Sequence, residues 1–258
     1  MYKQKLTKSF LEELYKKYNR LNSADDPVWG IIHHKNELDK EILAFIAAEY
    51  AFGNIPQINN TVSKIITLLN PSPLEKILDD DFLNYLKKNI DIKHRFLFHS
   101  ELTGLLKTLQ TVYLGFGSLK NLFLMNYNSE DINLKNSITT FSDYLRKIHN
   151  KHSKTSSRKL KFLYPSPQSG SACKRLNLFL RWMVRKDKVD LGIWKEIKTS
   201  QLVIPLDIHI YRVAKYFGLT KRKSPSWNMA VEITENLKKF NEEDPVKYDF
   251  ALSHLRLK

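Results

Sequence analysis

The sequence predicts an all-α, two-lobed helical fold. Apolar residues recur at i, i+3 and i+4 spacing along nearly the whole chain, which is the pattern of amphipathic helices. Only 8 of the 258 residues are Gly, too few for the many tight turns of a sandwich or a barrel. No pair of alternating segments indicates neighbouring strands, and the sequence contains no internal repeat.

Proline, glycine and capping residues divide this pattern into separate helices. The Asp-Asp-Pro segment at 25–27 ends the first helix, and the second stops at Gly53, as a helix with a glycine beyond its C-terminus does. Pro71 follows the third helix, and Pro73 opens the fourth with Ser72 as its capping residue. The expected helices cover 6–18, 38–50, 58–69, 73–89, 100–115, 134–149, 172–185, 191–202, 208–217 and 226–240, and a last one begins at Asp244 and Pro245.

The charge of the chain is concentrated in its last two fifths. Residues 1–150 hold 19 Lys+Arg and 17 Asp+Glu, a net charge of +2, whereas residues 151–258 hold 23 and 10, a net charge of +13. We therefore expect a near-neutral helical lobe at 1–150 and a basic helical lobe at 151–258, joined into one compact unit, with 151–171 as a loop. A local positive field favours a polyphosphate partner. The alternative is a lysine-rich surface that keeps the protein in solution.

The composition excludes several classes of protein. Hydrophobic residues make up 42% and aromatic residues 12% of the chain, which excludes wholesale disorder. Cys173 is the only cysteine, so one chain cannot build a disulfide framework, a Cys-rich zinc site or a four-cysteine cluster, and we expect no metal and no cofactor. No stretch approaches the roughly 18 apolar residues of a membrane span, and the polar start is unlike a secretory signal. A cytoplasmic protein without a membrane partner is expected.

A glycine turn opens a helix in the basic half. Gly170 lies four residues before Lys174, and the backbone N–H groups of Gly170 and Ser171 are expected to face a phosphate. The positive field of the helix end and of Arg175 favours the neutral, nucleophilic form of the Lys174 amine. A solvated surface lysine is the alternative interpretation.

An aspartate opens the next helix. Asp207 follows Pro205 and precedes His209, so its carboxylate is expected to cap the helix and to be held in one rotamer by backbone N–H donors. A carboxylate fixed in this way can stabilise a positive charge that develops nearby. The alternative is a residue that only caps the helix.

Both motifs resemble those of the helix–hairpin–helix-GPD superfamily of DNA glycosylases. The segment 170–174 is similar to the end of that superfamily's hairpin, where the catalytic lysine lies four residues after a glycine. The segment 206–214 resembles its Val-Asp-x-His-x-x-Arg-Val segment, which contains an invariant aspartate. The single glycine of the turn and the long step from Lys174 to Asp207 are similar to the archaeal branch that removes 8-oxoguanine. The segments 173–187 and 244–252 also resemble an uncharacterised bacterial family.

The resemblance implies a helix–hairpin–helix-like element and an enzyme of base-excision repair. Lys174 would be the nucleophile of a DNA glycosylase with AP lyase activity, Asp207 would stabilise the sugar, and the base removed would be 8-oxoguanine. Its partner would be double-stranded DNA with a damaged base, bound by a monomer at the bacterial nucleoid. The residues implied in DNA binding are Gly170, Ser171, Arg175, His209 and Arg212, with Arg181 and Arg185 as further phosphate contacts and Asp249 in the base pocket.

Two other functional classes remain open from the residues alone. The protein could be a non-catalytic nucleic-acid-binding helical protein that retains the scaffold without the reaction. It could also be a helical scaffold protein whose charge serves only solubility. For the binder, Lys174→Ala and Asp207→Asn should leave binding intact with no activity to lose. For the scaffold, affinity for DNA should be weak, should not distinguish damaged from normal duplex and should fall steeply with salt.

Overall fold

The computed structural model describes residues 5–20 and 30–255, and their secondary structure is helical. Thirteen α-helices and no strand are present in this part of the chain, which confirms the all-α prediction. Its β-type pairing is limited to two isolated bridges, His94 with Leu97 and Lys186 with Leu191. None of the described helices is both long and apolar enough to cross a membrane.

The chain divides into two compact units, each built from segments that are distant in sequence. Unit 1 comprises Met1–Ser23, Asn128–Lys135 and Ser166–Lys258, and unit 2 comprises Ala24–Tyr127 and Asn136–Pro165. This division differs from the one expected at residue 150, because the N-terminal helix belongs with the basic C-terminal segment. The helices of unit 1 are α1 (Lys8–Tyr18), α10 (Lys174–Val184), α11 (Ile208–Phe217), α12 (Trp227–Lys238) and α13 (Asp249–Ser253). Those of unit 2 are α2 (Glu37–Tyr50), α3 (Ile55–Leu69), α4 (Pro73–Leu78), α5 (Asp80–Asn89), α6 (His99–Phe116), α7 (Leu119–Leu124), α8 (Lys135–His152) and α9 (Ser157–Leu163), with Lys135 at the boundary.

The first helix packs into unit 1 through one apolar face. Leu11 and Leu14 of α1 are buried, as their spacing predicts for the core-facing side of an amphipathic helix. Tyr15 adds a polar contact, since its hydroxyl donates to Asp187 Oδ2 at 3.0 Å. Burial and the charge of Asp187 raise the pKa of Tyr15 to about 12, so the hydroxyl keeps its proton and remains a donor.

The second helix forms the centre of unit 2. Every residue from 41 to 50 is buried, so this Ala-rich helix is surrounded by protein on all sides. Its buried Glu41 accepts the backbone N–H groups of Leu119 at 2.7 Å and Lys120 at 3.2 Å, which leaves the start of α7 capped. Tyr113 of α6 also donates its hydroxyl to Glu41.

Two helix boundaries differ from the periodicity-based prediction. The helix expected at 73–89 is two helices, because Asp79 ends α4 and caps α5 by accepting the backbone N–H of Phe82 at 3.0 Å. The last helix begins at Asp249 and not at Asp244, whose carboxylate instead binds the Arg185 guanidinium at 2.9 and 3.0 Å.

The segment 191–202 was expected to be helical and is not an α-helix. Its regular structure is limited to the 3-10 turn Thr199–Gln201. Leu191 and Gly192 donate their N–H groups to the Trp182 carbonyl at 2.8 and 3.1 Å, and Trp194 donates to Met183 at 2.8 Å. These bonds satisfy carbonyls at the C-terminus of α10, so the segment continues the packing of that helix without being helical itself.

The polar segment 151–171 was expected to be a loop, yet it contains α9. Ser156 begins this helix by accepting the backbone N–H of Lys159 at 3.4 Å, and Leu160 and Leu163 are buried. Two apolar positions three residues apart are enough to anchor a short helix once a core is available. The break expected at 25–27 lies outside the described residues.

Candidate active site

The turn before α10 contains Gly170, as the sequence predicts, in a left-handed conformation. Gly170 has φ of +80° and closes the 3-10 turn Pro167–Ser169 by donating its N–H to the Pro167 carbonyl at 2.9 Å. That N–H is therefore occupied within the turn, contrary to the expectation that it faces phosphate. The Gly170 carbonyl accepts the N–H of Trp227 at 3.1 Å, which fixes the turn to the first residue of α12. The Ser171 hydroxyl accepts the N–H of Cys173 at 3.2 Å, and Ser171 is half-buried.

A second left-handed residue places Lys174 at the first position of α10. Cys173 has φ of +48°, a conformation that costs a side-chain-bearing residue roughly 1 to 2 kcal/mol, and its side chain is buried. Its carbonyl accepts the N–H of Asn177 at 2.9 Å, which starts the helix. Lys174 is half-buried at this helix end.

Asp207 caps α11 as predicted. Its Oδ1 atom accepts the N–H groups of His209 at 2.8 Å and Ile210 at 2.9 Å, so two backbone donors hold the rotamer. The other oxygen, Oδ2, receives no hydrogen bond from residues 5–20 or 30–255. Oδ1 therefore has a structural role, whereas Oδ2 of this half-buried carboxylate is available to bind a ligand.

The charges of Lys174 and Asp207 both affect the pKa of the buried Asp249 carboxyl. Burial raises the pKa of this carboxyl above its ordinary value, and the ion pair with Arg181 opposes that shift. The negative charge of Asp207 raises the same pKa further, whereas the positive charge of Lys174 lowers it. Lys174 and Asp207 begin two helices that both contact α13, since Arg181 of α10 bonds to Asp249 and α11 packs against α13.

The two arginines of α10, and Arg185 directly after it, are interior residues. Arg175, Arg181 and Arg185 are all buried, so the expected phosphate contacts through these side chains are not compatible with their position. Arg181 donates to Asp190 at 3.0 Å and to Asp249 at 2.7 Å. Asp249 is buried with this partner, and its place in a base pocket stays a prediction.

Arg185 continues the same buried network. Its guanidinium donates to Asp187 at 3.0 Å, to Asp244 and to Asp190. Charges removed from water in this way need several partners each. Arg181 and Arg185 obtain theirs from Asp187 and Asp190 after α10, from Asp244 before α13 and from Asp249 of α13. The network therefore fixes the segments 187–190 and 244–249 relative to α10.

Comparison with known proteins identifies the family of this chain. Residues 26–258 match the family described as Protein of unknown function (DUF2400). The chain belongs to the DUF2400 family. No curated protein and no solved structure matches it.

In this DUF2400 protein, the exposed cations near Asp207 lie on α11 and on the loop after it. His209 and Arg212 are exposed, as their predicted role in DNA binding requires. The loop 221–223, Lys-Arg-Lys, is also exposed and was not singled out from the sequence. The Tyr211 hydroxyl donates to the carbonyl of residue 223 at 3.1 Å, which holds the loop against α11. The sequence signal that could have identified this loop is the run of three cations that begins three residues after Gly218, the residue that caps the C-terminus of α11.

Other possible binding features of the DUF2400 chain lie elsewhere. A concavity of about 490 Å³ in unit 1 includes neither Lys174 nor Asp207. Three of its lining residues are lysines, and one of them, Lys198, donates its ammonium to the Ser129 carbonyl at 3.0 Å. Among the described residues, no group of three or more His, Cys, Asp or Glu side chains is arranged to hold a metal ion.

Proposed function

We propose that this protein is a DNA glycosylase with AP lyase activity. The observation that carries the proposal is the placement of a lysine at the start of α10 and a rotamer-locked aspartate at the start of α11, two helices that both contact α13. The sequence around each residue resembles the corresponding motif of the helix–hairpin–helix-GPD superfamily. An amine and a fixed carboxylate in one region are the groups that amine-dependent base excision requires.

In the proposed reaction, Lys174 acts as the nucleophile. A damaged nucleotide leaves the base stack, and the Lys174 nitrogen forms a bond to the sugar C1′ while the bond from C1′ to the base breaks. The departing base takes up a proton, and the sugar ring opens to give a Schiff base. Elimination then releases the 3′ phosphate, and water hydrolyses the remaining imine to free the amine.

Asp207 stabilises the sugar in this scheme. Positive charge develops on the sugar as the base departs, and Oδ2 of Asp207 is the carboxylate oxygen that backbone donors leave available. A rotamer already fixed by two N–H groups costs no reorganisation when that charge appears. The long step between the two motifs supports 8-oxoguanine as the base, by resemblance to the archaeal branch.

Phosphate contacts are assigned to exposed cations and not to the arginines of α10. Arg212 on α11 and the loop 221–223 offer positive charge at the surface of unit 1, and His209 is an exposed polar side chain on the same helix. Each phosphate that they neutralise releases counterions, so affinity for DNA falls as salt concentration rises.

Borohydride trapping tests the proposal directly. Borohydride reduces a Schiff base to a stable amine, so a covalent protein–DNA band reports the intermediate. The substrates are duplexes that carry 8-oxoguanine, uracil, an abasic site or no lesion. We expect a band with 8-oxoguanine in the wild type and its loss in Lys174→Gln.

Lys188→Gln is the matched control. Lys188 is an exposed lysine of the same unit, and its replacement should leave the band unchanged. Absence of a band with every substrate, from folded protein that binds DNA, would replace the enzyme with a non-catalytic binder. A band that persists in Lys174→Gln would remove Lys174 as the nucleophile.

A further inference from the structure

A tight turn in unit 2 carries two exposed phenylalanines. His94 and Leu97 exchange backbone hydrogen bonds of 2.8 and 3.0 Å around the two residues between them. Phe96, in the turn, and Phe98, just after it, are each 41% exposed. Phenylalanine side chains in a protein of this size are normally covered, so this exposure is informative.

The turn is rigid and its backbone is strained. Arg95 has φ of +55° at a position that such two-residue turns usually give to glycine. His94 is buried, with Nδ1 lying 3.0 Å from the Thr61 hydroxyl oxygen and Nε2 lying 2.8 Å from the Phe52 carbonyl. Strained conformations that surrounding contacts hold in place are concentrated at functional sites.

Phe96 belongs to a cluster of three phenylalanine rings. The Phe96 ring centroid lies 5.5 Å from that of Phe52 and 4.7 Å from that of Phe162, which is on α9. The Phe52 and Phe162 centroids lie 4.8 Å apart. We name these three rings and Phe98 the aromatic platform.

Cations surround the aromatic platform. The Lys93 and Lys159 ammonium groups lie 5.4 and 4.9 Å from the centroid of the Phe98 ring. The segments 91–101 and 157–163 together hold five Lys and Arg residues against two acidic residues, Asp91 and Glu101, and the buried Glu101 binds the Lys159 ammonium at 2.9 Å. A protein–protein interface is depleted of charge at its core, whereas a nucleic-acid strand presents base faces and phosphates side by side.

From this arrangement we infer that the aromatic platform binds an unpaired segment of a nucleic-acid strand, with a base stacked on Phe96 and phosphates next to the cations around Phe98. Every base has a π face, so the surface needs no particular sequence. The inference concerns unit 2 and stands independently of the reaction proposed for Lys174.

Fluorescence anisotropy with a labelled single-stranded oligonucleotide of about 12 nucleotides tests the inference, since known sites span about 4 to 16 nucleotides. The protein is the full chain carrying Lys174→Gln, so no reaction interferes. Phe96→Leu keeps an apolar side chain but removes the π face, and we expect affinity to fall about tenfold. Phe96→Tyr restores the π face and should bind as the parent does.

Two further variants separate stacking from charge and from exposure alone. Lys161→Gln should lower the slope of log affinity against log salt concentration by about 0.7, the value for one phosphate on a single strand. Tyr85→Ala removes an aromatic ring of α5 that is 59% exposed in the same unit, and binding should not change. Binding of Phe96→Leu at parental affinity, or no binding by the parent protein, would overturn the inference and favour a protein partner for the platform. The anisotropy measurement uses Lys174→Gln, which cannot form the Schiff base. A failure of single-strand binding and a failure of borohydride trapping can therefore be distinguished.

Discussion

At the scale of single residues, Asp207 combines a structural and a chemical role that two substitutions can separate. Asn caps a helix about as well as Asp, so Asp207→Asn should leave the free energy of unfolding nearly unchanged. Asp207→Ala also removes the cap and should cost about 1 kcal/mol. Both variants should lose the borohydride-trapped band with 8-oxoguanine, because both lack the carboxylate charge. Urea denaturation measures the first effect and trapping the second.

Asp79 provides the matched control for this prediction. It caps α5 of unit 2 through one carboxylate oxygen, as Asp207 caps α11. Asp79→Ala should therefore cost a similar amount of stability while the trapped band persists. If Asp207→Asn still forms the band at the wild-type rate, the carboxylate has no role in the reaction.

His149 makes the stability of the protein depend on pH. Burial lowers the pKa of this imidazole from 6.5 to about 4, against the opposing charge of Glu101. The folded protein holds His149 neutral, so its contribution is complete above pH 6.5 and is lost as the pH falls towards 4. The loss is on the order of 3 kcal/mol. Urea denaturation between pH 7 and pH 4 measures it.

A variant without the imidazole tests the assignment. His149→Gln should show a shallower decline of unfolding free energy over this pH range than the wild type. His99→Gln, at an exposed histidine of the same unit, should retain the wild-type slope. Equal slopes in the wild type and in His149→Gln would show that another group is responsible.

At the scale of elements, α6 contains two glycines with opposite surroundings. A Cβ atom on Gly104 would lie 2.5 Å from His149 Nε2, whose ring is held by Tyr164 and Thr155 at 3.0 and 3.1 Å. Gly104→Ala should thus destabilise the protein by about 1 to 3 kcal/mol despite the better helix propensity of alanine. A Cβ atom on Gly115 would meet no atom within 4 Å.

Gly115→Ala is accordingly expected to stabilise the protein, by up to about 1 kcal/mol. Both variants replace glycine by alanine in the same helix, so the gain in helix propensity is the same for both. The difference between them is the space around the added Cβ atom. Urea midpoints that shift in opposite directions would agree with this explanation. A shift in the same direction for both would contradict it.

The elements that the sequence predicts well are those whose signals are local. Periodicity and the cap at Asp207 predict α11, and the glycine turn predicts where α10 starts to within two residues. The segment 191–202 is different, because Trp194 is buried at a helix-like spacing while its backbone bonds to Met183 of α10. The Trp194 N–H bonds to a residue of another element and not to a carbonyl four residues earlier, as it would in a helix. A local sequence pattern contains no information about such a tertiary partner.

The candidate site shows the same limit. Lys174 and Asp207 can be found from their positions at helix starts, whereas the burial of Arg181 depends on Asp190 and Asp249, 9 and 68 residues away. Basic residues on a predicted helix are normally assigned to the surface. Only the folded chain shows which of them have carboxylate partners inside.

At the scale of the whole molecule, the N-terminal helix stabilises the unit that contains the candidate site. Leu11 is fully buried, so Leu11→Ala should cost about 2 to 5 kcal/mol. The effect should be local to unit 1, where α1 packs against α13. Hydrogen exchange measured by mass spectrometry should accelerate in 244–252 and remain unchanged in α2.

Val62→Ala is the corresponding change in unit 2, at a buried position of α3. It should accelerate exchange in unit 2 and leave 244–252 protected. Acceleration of both units by Leu11→Ala would show that they unfold as one cooperative body.

The discontinuity of unit 1 has a consequence for synthesis on the ribosome. Tyr15 and its partner Asp187 are 172 residues apart, and the chain between them includes all of unit 2. At roughly 5 to 20 residues per second, α1 is made about ten to thirty seconds before its partners exist. During that interval its apolar face has no core to join, whereas unit 2 is synthesised almost without interruption and can fold first. The nascent helix α1 is therefore the segment that a chaperone would be expected to cover while the rest of the protein is translated.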